Sequence, residues 1–154
     1  MNYAEIKYNC ASNGPGVRTA LYVSGCSLHC KGCFNKELWD FNAGQEYTDE
    51  VQNKILDSMD HDWIAGLSIL GGEPMEPDNQ QSVYGLIKAV RDRFGDKKTI
   101  WLWTGYRHKM EPKTEFTDKI IAELYVIVDG PFILNKADTK LKFRGSNNQR
   151  IIEL

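Results

Sequence analysis

Cys26, Cys30 and Cys33 fall inside eight consecutive residues, Cys26-Ser-Leu-His-Cys30-Lys-Gly-Cys33, which sets three thiols at i, i+4 and i+7. Three soft thiolate ligands suit iron and sulfur, and Gly25 and Gly32 give the backbone the freedom to wrap them round one centre. A four-iron cluster held by only three cysteines leaves one iron with an open position, the feature that separates a reactive metal site from a closed structural one. The spacing also admits a structural zinc site completed by His29 or Cys10, or simply buried cysteines. His29 directly precedes Cys30, which makes joint coordination awkward, and Cys10 reads as an ordinary small apolar residue.

A second motif, Leu70-Gly71-Gly72-Glu73-Pro74, combines two residues without a Cβ and a carboxylate. Glycines let a ligand approach the backbone; carbonyls there can accept hydrogen bonds from an ammonium group, and Glu73 can accept a further one or set the shape of the loop. Taken alone, the same tetrapeptide also makes a turn. Trp101 and Trp103 alternate with Leu102, so at least one of them is expected to pack in the core. Arg144, Asn148 and Arg150 could meet a ligand carboxylate or a partner, or could simply be solvated.

The elements that must position these residues follow from periodicity. Val17, Thr19, Leu21 and Val23 alternate with Arg18, Ala20, Tyr22 and Ser24, which predicts a strand running straight into Gly25 and the cysteines. Thr48 as N-cap, Asp49 and Glu50 in the first turn, and Val51, Ile55, Leu56 and Met59 predict a helix. Leu67–Leu70 reads as a short strand stopped by Gly71 and Gly72. Asp78 and Gln81 are spaced like a capping box ahead of Val83, Leu86, Ile87, Val90 and Phe94, with Gly95 as the stop. Thr99–Trp103 is rich in β-formers, Phe116, Ile120, Ile121 and Leu124 suggest a helix, and Tyr125–Val128 a buried strand. Short strands are expected around Leu141–Phe143 and Arg150–Leu154, and 42–49 reads as a connection. Thr104 and Asp129 each follow a predicted strand and so share the rim of the cysteines.

Strands that alternate with helices imply an α/β fold with a mostly parallel sheet, and 154 residues cannot supply the ≈ 250 of a closed eight-unit barrel. The expectation is one domain over 1–154, folded as a partial, open (β/α) barrel. Hydrophobic residues at 42%, charged residues at 26% and a net charge of -2 exclude disorder, collagen and a strongly basic nucleic-acid binder. Apolar stretches such as Leu124–Val128 are far short of the roughly 20 residues that span a bilayer, so no membrane partner is expected. The N-terminus lacks a basic start and an apolar core, so a reducing cytoplasm is expected, where crowded cysteines favour metal over disulfides.

Together, the C-x3-C-x2-C spacing and the Gly-Gly-Glu-Pro loop resemble the radical S-adenosylmethionine enzymes, and the likeness runs across nearly the whole chain. Asn13-Gly-Pro-Gly-Val-Arg-Thr19 is similar to the opening segment of the glycyl-radical-enzyme activases. Cys30-Lys-Gly-Cys33-Phe34-Asn35, Thr104-Gly-Tyr106, Val128-Asp-Gly-Pro-Phe132 and Arg144-Gly-Ser-Asn-Asn-Gln-Arg150 are similar to the anaerobic ribonucleoside-triphosphate reductase-activating proteins. Gly32, where the broader superfamily often carries an aromatic, matches that narrower group, with Phe34 just after the third cysteine.

The resemblance implies a 4Fe-4S cluster on Cys26, Cys30 and Cys33, and S-adenosylmethionine whose amino and carboxylate groups chelate the open iron while Gly71, Gly72 and Glu73 hold its ammonium. It also implies that Thr104 and Asp129 touch that ligand. The implied reaction is reductive cleavage to methionine and a 5′-deoxyadenosyl radical, which takes a hydrogen from a glycine of the large anaerobic ribonucleoside-triphosphate reductase subunit. The electron would come from a donor such as flavodoxin or a chemical reductant. A ligand bound to backbone cannot pass a Cβ, so Gly72→Val is expected to keep the cluster and lose S-adenosylmethionine. The competing readings are an activase for another glycyl radical enzyme, such as pyruvate formate-lyase, and a zinc-stabilised binding module without turnover.

Overall fold

The computed structural model describes every residue, Met1–Leu154. Its elements are β1 (Asn2–Cys10), β2 (Val17–Val23), β3 (Gln45–Glu46), α1 (Asp49–Met59), β4 (Ile64–Gly71), α2 (Pro77–Phe94), β5 (Thr99–Trp103), α3 (Thr117–Glu123), β6 (Val126–Asp129) and β7 (Arg150–Glu153). All seven strands form one sheet in the order β3-β1-β2-β4-β5-β6-β7. The four strands from β2 to β6 run parallel, as β-α alternation requires, while β1, β3 and β7 are antiparallel additions at the flanks. The sheet does not close: β3 and β7 are free edges, so the expected α/β fold with a parallel centre is present without a closed barrel.

The strand periodicity decides which side chains face the helices. Leu21, Val23, Leu67, Ile69, Ile100, Leu102 and Ile127 pack with Ile55, Leu56, Met59, Val83, Leu86, Ile87, Val90 and Ile120 in the main core. The residues between them, Trp101, Val126 and Val128, form a second small cluster with Trp103 and Phe143 against them. Trp101 is therefore core packing, as expected of at least one of the pair. No helix is long and apolar enough to cross a membrane.

Several predicted boundaries shift for visible reasons. Thr48 caps α1 as expected, its side chain accepting from the Val51 N–H. By contrast α2 begins at Pro77, with Glu76 at the N-cap and no side-chain cap bond, so the capping box of Asp78 and Gln81 does not form. Proline at the first helical position needs no N–H partner, and that fixes the start. The strand predicted at Leu141–Phe143 is absent: Phe143 adopts a φ of 63°, in the left-handed region that no strand tolerates. The last parallel strand is Val126–Asp129 rather than Tyr125–Val128, leaving Tyr125 exposed.

Candidate functional site

The cysteine segment leaves β2 at Gly25 and is tied to the short helical turn Lys36–Trp39 by the Gly25 N–H to the Leu38 carbonyl (2.8 Å) and the Cys26 N–H to the Trp39 carbonyl (3.2 Å). It is tied to the Gly-Gly-Glu loop as well: the Gly72 N–H donates to the Val23 carbonyl and the Glu73 N–H to the Gly25 carbonyl, both at 2.8 Å. These bonds explain the two glycines. A methyl on Gly72 would stand 2.7 Å from the Gly25 oxygen and 2.9 Å from the Leu38 oxygen, and Gly71, at a φ of +113°, would press on the Val23 backbone at 2.6 Å. The requirement at Gly72 therefore comes from the cysteine loop as well as from any ligand. A side chain at Gly72 would therefore press on the cysteine loop that is expected to hold the cluster.

Past the ends of β2, β4 and β5 lies a cavity of about 410 Å³, in the range of small-molecule sites. Cys26, Cys30, Cys33, Gly71, Gly72, Glu73 and Thr104 all line it. Its remaining wall is largely apolar and comes from Phe34, Trp103 and the long β6–β7 connection through Phe132, Leu141 and Phe143. Trp103 is fixed by its indole N–H donating to the Phe143 carbonyl at 2.6 Å.

Glu73 is fully buried, and its carboxylate joins two loops. Its Oε1 accepts from the Met75 N–H (2.9 Å) and the Thr104 hydroxyl (2.8 Å), and Oε2 accepts from the Gly105 N–H (2.7 Å). Burial pushes its carboxyl up to about 7, against the pull of those hydrogen bonds. Thr104 thus touches Glu73 directly while lining the cavity. Asp129, at the end of β6 between the lining residues Val128 and Gly130, does not itself line the cavity and is fully buried beside it. Its carboxylate pairs with both the Nε and Nη2 of Arg150 on β7 and accepts from the His108 N–H at 2.8 Å. Burial opposes its ionisation, yet Arg150 and the His108 N–H hold its carboxyl below the usual range.

Which groups the cysteines would hold can be tested on their surroundings. None is in a disulfide, and all three are half-buried on one cavity wall. No three His, Cys, Asp or Glu side chains converge as they would round a single ion. Of the other zinc donors considered, the His29 ring stacks on Trp39 at 4.2 Å, and the Cys10 Sγ lies 3.3 Å from the Ser12 hydroxyl and 3.5 Å from the Asn13 amide. Cys10 is buried but polar in company, not simply apolar. The Asn35 N–H donates to the Cys33 Sγ at 3.4 Å. Burial pushes the Cys26 thiol up to about 11, so as a free thiol it keeps its proton, which a metal must displace. The donor set fits an iron-sulfur cluster.

Sequence reasoning missed the polar residues that bind these loops together. Glu76 accepts from the Ser27 N–H (2.7 Å) and hydroxyl (2.6 Å), and the Asn79 amide donates to the carbonyls of Ser24 and Glu73, both at 3.0 Å. The only signal was their place, in the first turn of the helix after the Gly-Gly-Glu loop. Arg18, fully buried on β2, was also missed. It donates to the Ser68 and Thr99 hydroxyls and to the carbonyls of Leu67, Thr99 and Pro15, crossing β2, β4 and β5 without a carboxylate partner. Ser68 in turn donates to the carbonyl of Asn13, a residue on the cavity wall.

Comparison with known proteins places this arrangement among relatives. A family model described as a 4Fe-4S single cluster domain matches residues 12–152. The anaerobic ribonucleoside-triphosphate reductase-activating protein of Vibrio cholerae is 40% identical over 153 residues, covering 98% of this chain and 97% of that protein. Proteins of the same name from Enterobacteria phage T4 and Escherichia coli K12 are 38% and 35% identical, over 98% and 100% of this chain and 93% and 99% of their own length.

Proposed function

This chain belongs to the family of anaerobic ribonucleoside-triphosphate reductase-activating proteins, and from that premise we propose that it activates such a reductase by installing a glycyl radical on it. The observation that carries the reading is that three free cysteines and the Gly-Gly-Glu loop line one cavity. When bound, a 4Fe-4S cluster and S-adenosylmethionine supply one-electron reductive cleavage, giving methionine and a 5′-deoxyadenosyl radical that takes hydrogen from a partner glycine.

The protein's own residues bind, orient and exclude water. Cys26, Cys30 and Cys33 hold the cluster through three thiolates. The backbone of Gly71 and Gly72 and the Glu73 carboxylate accept from the N–H groups of the ligand's amino nitrogen, and Thr104 fixes the Glu73 carboxylate for that task. Asp129 acts as a positioning residue through Arg150. The wall of Trp103, Phe132 and Phe143 gives the reacting groups an apolar surround on one side. An external one-electron donor, such as flavodoxin or a chemical reductant, completes the reaction in a reducing compartment.

The test is anaerobic reconstitution of single alanine variants, with iron content and S-adenosylmethionine cleavage measured on each. Cys26→Ala, Cys30→Ala and Cys33→Ala are expected to lose both, and Cys10→Ala to keep both. Full iron and cleavage in Cys30→Ala would overturn the assignment.

A further inference from the structure

The charges of the chain are not spread evenly. The cysteine loop, residues 26–36, carries Lys31 and Lys36 and no Asp or Glu, and residues 132–145 carry Lys136, Lys140, Lys142 and Arg144 against Asp138 alone. The two segments thus hold six of the 19 Lys and Arg and one of the 21 Asp and Glu, in a chain whose net charge is -2. All five lysines are exposed, and none of them forms an ion pair. Asp138 accepts from the main-chain N–H of Lys140 at 2.9 Å, and Glu37, on the turn that follows Lys36, is the nearest carboxylate along the chain on the other side.

These two segments meet. The Phe34 and Phe132 rings lie 5.2 Å apart, and a methyl on Gly32 would stand 2.8 Å from Leu134. Cys30, Cys33, Asn35, Leu141 and Phe143 line the cavity, while Lys31, Lys36, Lys140 and Lys142 beside them in sequence do not. The lysines therefore stand on the outer side of the wall that carries the cysteines, with Lys31 between two of them in sequence.

Resting on the function proposed above, we infer that this lysine surface seats an acidic one-electron carrier protein. The carrier loses one electron, which the group held by the three cysteines accepts, and no bond or proton moves with it. Such a carrier has to come close to the cysteines without entering the cavity, and to leave once the electron has passed. Attraction between a lysine surface and an acidic one gives fast, salt-sensitive docking of that kind. The reductase has the other requirement, since its glycine must pass the mouth of the cavity.

Calorimetric titration of the anaerobically reconstituted protein with a flavodoxin of net negative charge, at about 20 and 200 mM salt, tests this. The triple variant Lys136→Glu, Lys140→Glu, Lys142→Glu is expected to bind flavodoxin on the order of tenfold or more weakly at the lower salt, and the native affinity to fall as salt is raised. The triple variant Lys54→Glu, Lys97→Glu, Lys119→Glu makes the same change of charge on exposed residues outside the two segments and is expected to lose less than about threefold. The inference is overturned if the first variant binds flavodoxin like the native protein, including the case where it loses affinity for the reductase instead. It is equally overturned if the two triple variants weaken alike, which is the mark of net charge and not of a surface. Should the first variant fail to take up iron, the native protein decides, because an affinity for flavodoxin that does not fall between the two salt concentrations also overturns the inference. Failure of the chemically reduced native protein to cleave S-adenosylmethionine would instead remove the function proposed above.

Discussion

A methyl group at Gly72 would press on the carbonyl oxygens of Gly25 and Leu38, the first residue of the cysteine loop and the turn that braces it. Gly72→Val is therefore expected to reduce iron uptake together with S-adenosylmethionine binding, and to destabilise the fold by about 1–3 kcal/mol, the usual cost of overpacking. Iron assay and denaturant unfolding check it; full iron with only the ligand lost would mean that the glycine serves the ligand alone. Glu73 carries a second prediction. Burial raises its carboxyl to about 7, so below that pH it is neutral in the empty site and must ionise to meet an ammonium. Affinity for S-adenosylmethionine is then expected to rise with pH, by about tenfold from pH 6 to pH 8, because one pH unit below the pKa the ionised fraction is about a tenth. Titration calorimetry at the two pH values checks the native protein, and Glu73→Gln should flatten the dependence. At this scale the cysteines and the Gly-Gly-Glu loop were legible because the two motifs occur together, each at the end of a readable strand. The commitment of Glu73 to Thr104 and Gly105 was not, since it joins residues 31 and 32 apart.

The first turn of α2 shows how elements are bent to the site. Its capping signal was overridden: Glu76 turns to Ser27 and Asn79 to the carbonyls of Ser24 and Glu73, so polar side chains that would cap a helix stitch the cysteine loop to it. The β6–β7 connection is held similarly, by Arg150 on the buried Asp129. Arg150→Ala is expected to destabilise the protein, because it leaves a buried carboxylate without its partner, and Arg150→Ala with Asp129→Asn should recover part of the loss. Unfolding midpoints of the three proteins decide it; an unchanged midpoint in Arg150→Ala would show that the pair does not clamp the connection. The parallel strands and the two longer helices were readable from periodicity. β1 was not, since Glu5, Lys7 and Tyr8 break any clean alternation, although Tyr3 and Ile6 pack against the core and the strand pairs with β2 and β3. The absence of a strand at Leu141–Phe143 was equally hidden, because the positive φ of Phe143 follows from its tertiary setting and not from its type.

At the scale of the molecule, the open sheet leaves the cavity without a full enclosure from its own chain. Phe34 at the rim is 73% exposed, although its ring packs against Phe132 at 5.2 Å. Such apolar exposure beside a reactive site fits completion by a partner, whose glycine-bearing segment would shield the radical from water. Cleavage of S-adenosylmethionine by the isolated protein is then expected to be slow, and to become coupled to glycyl radical formation when the reductase is added. Deoxyadenosine formed per radical, with and without the reductase, measures that coupling; efficient cleavage alone with no change on adding the reductase would contradict it. That an α/β sheet carries the cysteine and Gly-Gly-Glu loops side by side followed from the order of strands and motifs. The Arg18 network joining three strands beneath them did not, because each of its partners is an unremarkable serine, threonine or carbonyl. The most direct test of the whole account is electron paramagnetic resonance of the anaerobically reconstituted protein mixed with an anaerobic ribonucleoside-triphosphate reductase, S-adenosylmethionine and a reductant. A glycyl radical on the reductase that requires all four components and is lost with Cys30→Ala is expected; no radical from the intact, iron-loaded protein, or an undiminished one with Cys30→Ala, would contradict the proposed function.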